Sequence, residues 1–117
     1  MFNYVLQRGG RVELQPIAEV PTKWQSELDV FEATLKHEQH VTSLINNLYA
    51  LTHQENDYAT QSMLKWFVDE QVEEEENATN IIDNLKMLNG NGYGIFMMDK
   101  DLAARVYTQA APLAGKA

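Results

Sequence analysis

Apolar residues recur with a helical period along two long stretches, about 26–53 and 57–89. In the first, Leu28, Phe31, Leu35, Val41, Ile45, Leu48 and Tyr49 fall on one broad stripe. In the second, Met63, Phe67, Ile81, Leu85 and Leu88 lie within roughly 60° of Glu70 when each residue turns the helix by about 100°. Trp66 lies slightly to the other side, and Glu74 falls inside the stripe. Both stretches open on capping signals: Ser26-Glu27-Leu28-Asp29 has the form of a capping box, and Asn56 or Asp57 can cap the second. The short turn 54–57 between them predicts an antiparallel helical hairpin.

The flanking segments are less regular. Residues 1–8 predict a short helix stopped by Gly9-Gly10. Taken alone it is as compatible with a frayed chain end. Residues 11–25 contain Pro16 and Pro21, which exclude a continuous helix. Fifteen extended residues reach about 50 Å, enough to run the length of a bundle. Beyond residue 89, the sequence Asn89-Gly90-Asn91-Gly92-Tyr93-Gly94 predicts a break, followed by a short helix from Asp99 to about Gln109 and a disordered tail over 112–117. The expected fold is all-α.

The hairpin carries acids where its pattern demands core residues. Six of the nine residues 69–77 are acidic. Glu38 sits at the centre of the first stripe, with Thr42 one turn on. Counting away from the turn in both directions puts Glu38 level with residue 73, so it faces Glu70, Glu73 and Glu74. Gln71 lies at the edge of the stripe and could serve through its carbonyl oxygen. A lone buried acid usually has a structural explanation. Several at one height must protonate, find partners or bind a cation, because an unpaired buried carboxylate costs several kcal/mol or more. The oxygen-rich set suits hard or borderline cations such as iron, manganese, magnesium or calcium. Glu75 and Glu76 read as a solvated face, with metal entry as the functional alternative. His37 and His40 flank Glu38 but point off its stripe, and His53 suits a helix C-terminus.

Composition narrows the classes. A formal charge of −8, from 9 basic and 17 acidic residues, argues against nucleic acid or anionic lipid as partners. The absence of Cys removes disulfides, thiolate metal sites and Cys nucleophiles. No apolar run is long enough to span a membrane, and no signal-peptide pattern opens the chain, which makes the cytoplasm the default location. No Glu-x-x-His, nucleophile constellation or phosphate-binding loop occurs.

Lys36-His37-Glu38-Gln39, the run Trp66-Phe67-Val68 with Asp69 to Glu75, and the Gly-rich turn before Ile95-Phe96 resemble a bacterial non-haem ferritin over nearly the whole chain. The resemblance implies a truncated ferritin-like domain over 1–117: the end of the second bundle helix at 1–8, the crossover at 9–25, the third helix at 26–53, the fourth at 57–89 and a short fifth at 99–109. It implies that Glu38 is the third-helix ligand of a ferroxidase centre, Gln71 the nearby glutamine, Glu74 a ligand shared with a third iron site, and Glu70 and Glu73 further ligands of that site. The implied substrate is ferrous iron, oxidised to the ferric state by oxygen or peroxide and stored. The family also takes a Glu from its first helix and a Glu-x-x-His from its second, and this sequence matches neither. It looks as though it starts within the second helix and supplies half of the centre.

An open hairpin would leave a wide apolar stripe uncovered, so self-association is expected, with two hairpins rebuilding a four-helix core or another polypeptide supplying the missing helices. The alternative to iron storage is a non-catalytic self-associating module that binds metal weakly or not at all. A plain helical hairpin with protonated or solvated acids is the third reading.

Overall fold

The computed structural model describes residues 1–106. Its elements are all helical: α1 (Phe2–Gln7), α2 (Glu27–Gln54), α3 (Tyr58–Leu88) and α4 (Gly92–Ala103). The two long helices form the expected antiparallel hairpin, and its caps follow the sequence. Ser26 Oγ accepts a hydrogen bond from the Asp29 amide at 3.1 Å, and the Asp29 carboxylate accepts from the Gln25 amide at 3.0 Å. The turn closes with Asn56 at φ 55°, a left-handed conformation that Asn tolerates. Asp57 then caps α3, accepting from the amide and the hydroxyl of Thr60. Those two bonds, the side-chain one first, hold the Asp57 carboxyl below its usual range. At the far end Asn89 and Gly90 take positive φ and stop α3.

The seam between α2 and α3 is the core. Ile45 of α2 and Leu64, Ala78, Ile81, Ile82 and Leu85 of α3 are its buried apolar residues, and Leu64 is almost wholly enclosed at 1% exposure. An exposed Lys86–Glu32 ion pair at 3.3 Å ties the two helices near their open end. Leu48, Leu44 and Leu51 of α2 remain about half exposed, so the apolar surface of the hairpin is wider than the seam.

Helix α1 docks at the turn end. The Tyr4 hydroxyl and Thr60 Oγ1 are 3.0 Å apart, and α1 with Gly10 borders an open cleft of about 300 Å³ that Leu48, Met63 and Leu64 also line. Residues 2–7 are helical, and the Tyr4–Thr60 hydrogen bond links them to α3. From there residues 11–25 return without regular structure to the start of α2, along a molecule 53 Å in its longest extent. Leu14, Ile17 and Val20 stand exposed on this crossover.

The last element departs from expectation. The glycine-rich stretch predicts a break, with a helix beginning at Asp99. Instead α4 begins at Gly92, capped by Asn91, whose Oδ1 accepts from the Gly94 amide at 3.0 Å. It ends at Ala103, before Gln109. Gly94 lies where a Cβ would come within 2.3 Å of Leu88 Cδ2, so the glycine permits close packing of α4 on α3. The end of the expected helix at 107–109 and the tail at 112–117 lie outside the described residues.

Candidate metal centre

Midway along the hairpin the seam turns polar. Gln71 replaces the apolar residue expected there and is buried, at 8% exposure. Its Nε2 donates to the backbone oxygen of Glu38 at 3.1 Å, to Glu38 Oε2 at 3.1 Å and to Thr42 Oγ1 at 3.2 Å. All three bonds leave from the nitrogen, so none of them commits the Gln71 carbonyl oxygen. Thr42 Oγ1 in turn donates to Glu75 Oε1 at 2.6 Å. Glu38, Thr42 and Glu75 are half-buried. One chain of polar contacts therefore crosses the seam, from Glu38 through Gln71 and Thr42 to Glu75.

Counting along the two arms correctly makes Glu38 level with the acidic run of α3. Two orientations need correction. Gln71 is not at the edge of the buried arc but at its centre. Glu75 is not on a solvated face, because it meets Thr42 across the seam. Glu74, placed by the pattern in the apolar stripe, is exposed, as is Glu73, while Glu70 is half-buried. The cause is geometric. The buried residues Leu64, Gln71, Ala78 and Ile82 lie about 100° around α3 from Glu70, whereas buried Leu85 and Ile81 lie about 60° and 20° from it, so burial reaches the Glu70 side only toward the far end of α3. Met63, Phe67, Glu70 and Glu74 occupy the neighbouring flank. Met63 and α2's Leu48 line the same cleft as α1, so this flank belongs to the side of the hairpin on which α1 sits.

His37, His40 and His53 are exposed, as their positions predict. Among the described residues, no group of three or more His, Cys, Asp or Glu is gathered to hold one metal ion. The oxygen donors present are of the kind that suits a hard cation.

A ferritin-like domain description matches residues 1–88. The chain belongs to the ferritin-like family. It is 42% identical over 105 residues to a bacterial non-heme ferritin of Bacteroides fragilis, covering 90% of this chain and 65% of that protein. A Haemophilus influenzae probable bacterial non-heme ferritin-like protein is 37% identical over 102 residues, which cover 87% of this chain and 62% of that one. Among solved structures, an engineered closed form of the Archaeoglobus fulgidus ferritin superposes with a TM-score of 0.88 at 40% identity, covering 92% of this chain and 65% of that one. The all-α ferritin-like bundle architecture is thereby established for the hairpin and its flanking helices. The chain spans about two thirds of the length of these relatives, at 62–65%.

The polar partners missing from the sequence reading are Thr42 and Glu75. Thr42 was visible on the α2 stripe, level with the acids. Rotation measured from Gln71 instead of Glu70 would have placed Glu75 about 40° from the seam's centre.

Proposed function

We propose that this ferritin-like chain binds and stores iron, contributing Glu38, Gln71, Glu70, Glu73 and Glu74 to sites at the middle of its bundle. The observation carrying this reading is the buried amide of Gln71 held on Glu38, midway along the seam, beside a flank that carries Glu70 and Glu74. Glu38 and Glu74 would bind ferrous iron directly. Gln71 would support them through its uncommitted carbonyl oxygen, and Glu70 and Glu73 would hold the adjoining ion. Carboxylates at one level favour cations because each ion relieves the repulsion between them.

The reaction is ferroxidation. Two ferrous ions give one electron each to dioxygen, which takes up two protons and leaves as hydrogen peroxide; peroxide can serve as a further oxidant. The chain's own residues hold the ions and set their spacing. The remaining ligands come from outside the described hairpin, which makes self-association part of the proposal. The chain exposes 9566 Å² of surface, against about 6,500 Å² for a compact protein of 13.4 kDa. Covering the α1 side of the hairpin with a second copy would bury part of that excess. A cytoplasmic location fits this role; among the described residues no helix is long and apolar enough to cross a membrane.

A second reading is a non-catalytic self-associating module. It is favoured by the lack of three gathered ligands among the described residues. Ferrous iron added without oxygen, then with it, separates the two. Saturable binding followed by ferric absorbance that is lost in Glu38→Ala supports storage with oxidation. Oligomers without saturable iron binding support the module.

A further inference from the structure

We infer that Glu75 is a positioning residue, which acts through Thr42 to hold Gln71 and Glu38 in the arrangement that receives a cation. The inference rests on the proposed iron-binding reading for its purpose, but on hydrogen bonding alone for its geometry.

The argument starts from what hydroxyls do inside helices. A Thr or Ser within a helix ordinarily donates back to a carbonyl three or four residues earlier. In this hairpin Thr34 donates to the Val30 oxygen, Ser43 to His40, Thr52 to Tyr49 and Thr79 to Glu75. For Thr42 the corresponding acceptor four residues earlier is the Glu38 oxygen. Thr42 does not donate there. Its proton goes across the seam to Glu75 Oε1 at 2.6 Å, and the Glu38 oxygen receives the Gln71 amide instead.

The consequences run in one direction. A carboxylate can only accept, so Thr42 must donate to it. Thr42 Oγ1 is then an acceptor for Gln71 Nε2. With Thr42 turned away, the Glu38 oxygen is open to the same nitrogen. Gln71 therefore presents its NH₂ group to Glu38 and Thr42 together, and its carbonyl oxygen is directed elsewhere. The same nitrogen holds the Glu38 carboxylate through Oε2. Remove the acceptor at 75, and Thr42 is free to bond its own helix at Glu38. Gln71 then competes with Thr42 for the Glu38 backbone oxygen and is held less firmly, and its hold on the Glu38 carboxylate loosens with it.

The test uses the 117-residue chain and compares Glu75→Ala with Glu75→Gln. A Gln at 75 keeps a carbonyl oxygen that can accept from Thr42 but carries no charge. Exchange of the Gln71 side-chain amide protons with solvent, followed by NMR without metal, reads the geometry directly. Mn(II) affinity, followed by EPR, reads its use. Circular dichroism melts check that each variant folds.

Glu75→Ala is expected to expose the Gln71 amide to fast exchange and to weaken Mn(II) binding roughly tenfold or more, the scale seen when a residue supporting a metal ligand is removed. Glu75→Gln is expected to retain both within about twofold, a rescue that a directly ligating carboxylate would not show. Unchanged Gln71 exchange in a folded Glu75→Ala overturns the inference, and so does a Glu75→Gln variant as impaired as Glu75→Ala. If the unaltered chain binds no Mn(II) and no ferrous iron, the iron-binding reading fails, while the amide exchange still decides the role of Glu75. Should Glu75→Ala fail to fold, Thr42→Val replaces it, with fast Gln71 exchange expected and protected exchange contradicting.

Discussion

Two sides of α3 differ in what covers them. The side facing α2 carries Leu64, Gln71, Ala78 and Ile82 and is buried. The adjoining flank carries Met63, Phe67, Glu70 and Glu74, which range from half-buried to exposed, and is buried only at Ile81, farther along α3. Both belong to one apolar arc in the sequence, yet a single partner helix covers only part of it. The covered side makes the hairpin. In the proposed function, the open side is where further ligands and a further packing partner would come from. On the covered side the polar residue Gln71 is held through its amide nitrogen, whereas among the described residues no hydrogen bond holds the side chains of Glu70 and Glu74 on the open side.

The comparison is broken most forcefully by cavity formation. Leu64→Ala on the covered side should cost about 2–5 kcal/mol, the range for an enclosed leucine. Met63→Ala on the flank should cost clearly less in urea unfolding of the monomeric chain, and its cost should rise toward that of Leu64→Ala as self-association covers the flank. Next comes the polar middle. Gln71→Ala removes the two amide protons that Glu38 and Thr42 share and leaves both short of a partner, so about 1–3 kcal/mol should be lost. Val72→Ala, at a position 66% exposed, should change stability by no more than about 0.5 kcal/mol. Denaturation of the pair checks both values.

The turn offers a smaller, pH-dependent contrast. Because Asp57 is held below its usual range in the folded chain, its contribution is present above the ordinary carboxylate range and is lost as pH falls through the folded value. The difference in Tm between the unaltered chain and Asp57→Ala should therefore shrink on acidification. The exposed Lys65–Asp69 pair at 2.6 Å raises the Lys65 ammonium pKa through its hydrogen bond to Asp69. Being exposed on both sides, it should give no measurable change in Tm when Lys65→Met removes it, and less still in high salt.

The hairpin was legible because several signals agreed. Ser26 and Asp57 marked helix starts, helical periodicity filled the intervals, and the short turn forced the arms together. The height of Glu38 against the acidic run followed from counting. The facing of individual residues did not, because periodicity adds up burial from every partner a helix will have. Its average fell between the seam and the open flank, which put Glu74 too far inside and Glu75 too far out. The start of α4 was hidden for another reason. Gly92 and Gly94 cost a helix only about 1 kcal/mol each relative to Ala, and the Asn91 cap with close packing against Leu88 offsets that.

The central claim is that Glu38, held by Gln71 at the middle of the bundle, serves a bound cation. Anaerobic titration of the unaltered chain and Glu38→Ala with ferrous iron tests it most directly, with melts alongside to confirm folding. The account predicts saturable binding in the unaltered chain and its loss in the variant. Identical binding curves for two folded proteins, or no saturable binding in either, would contradict it.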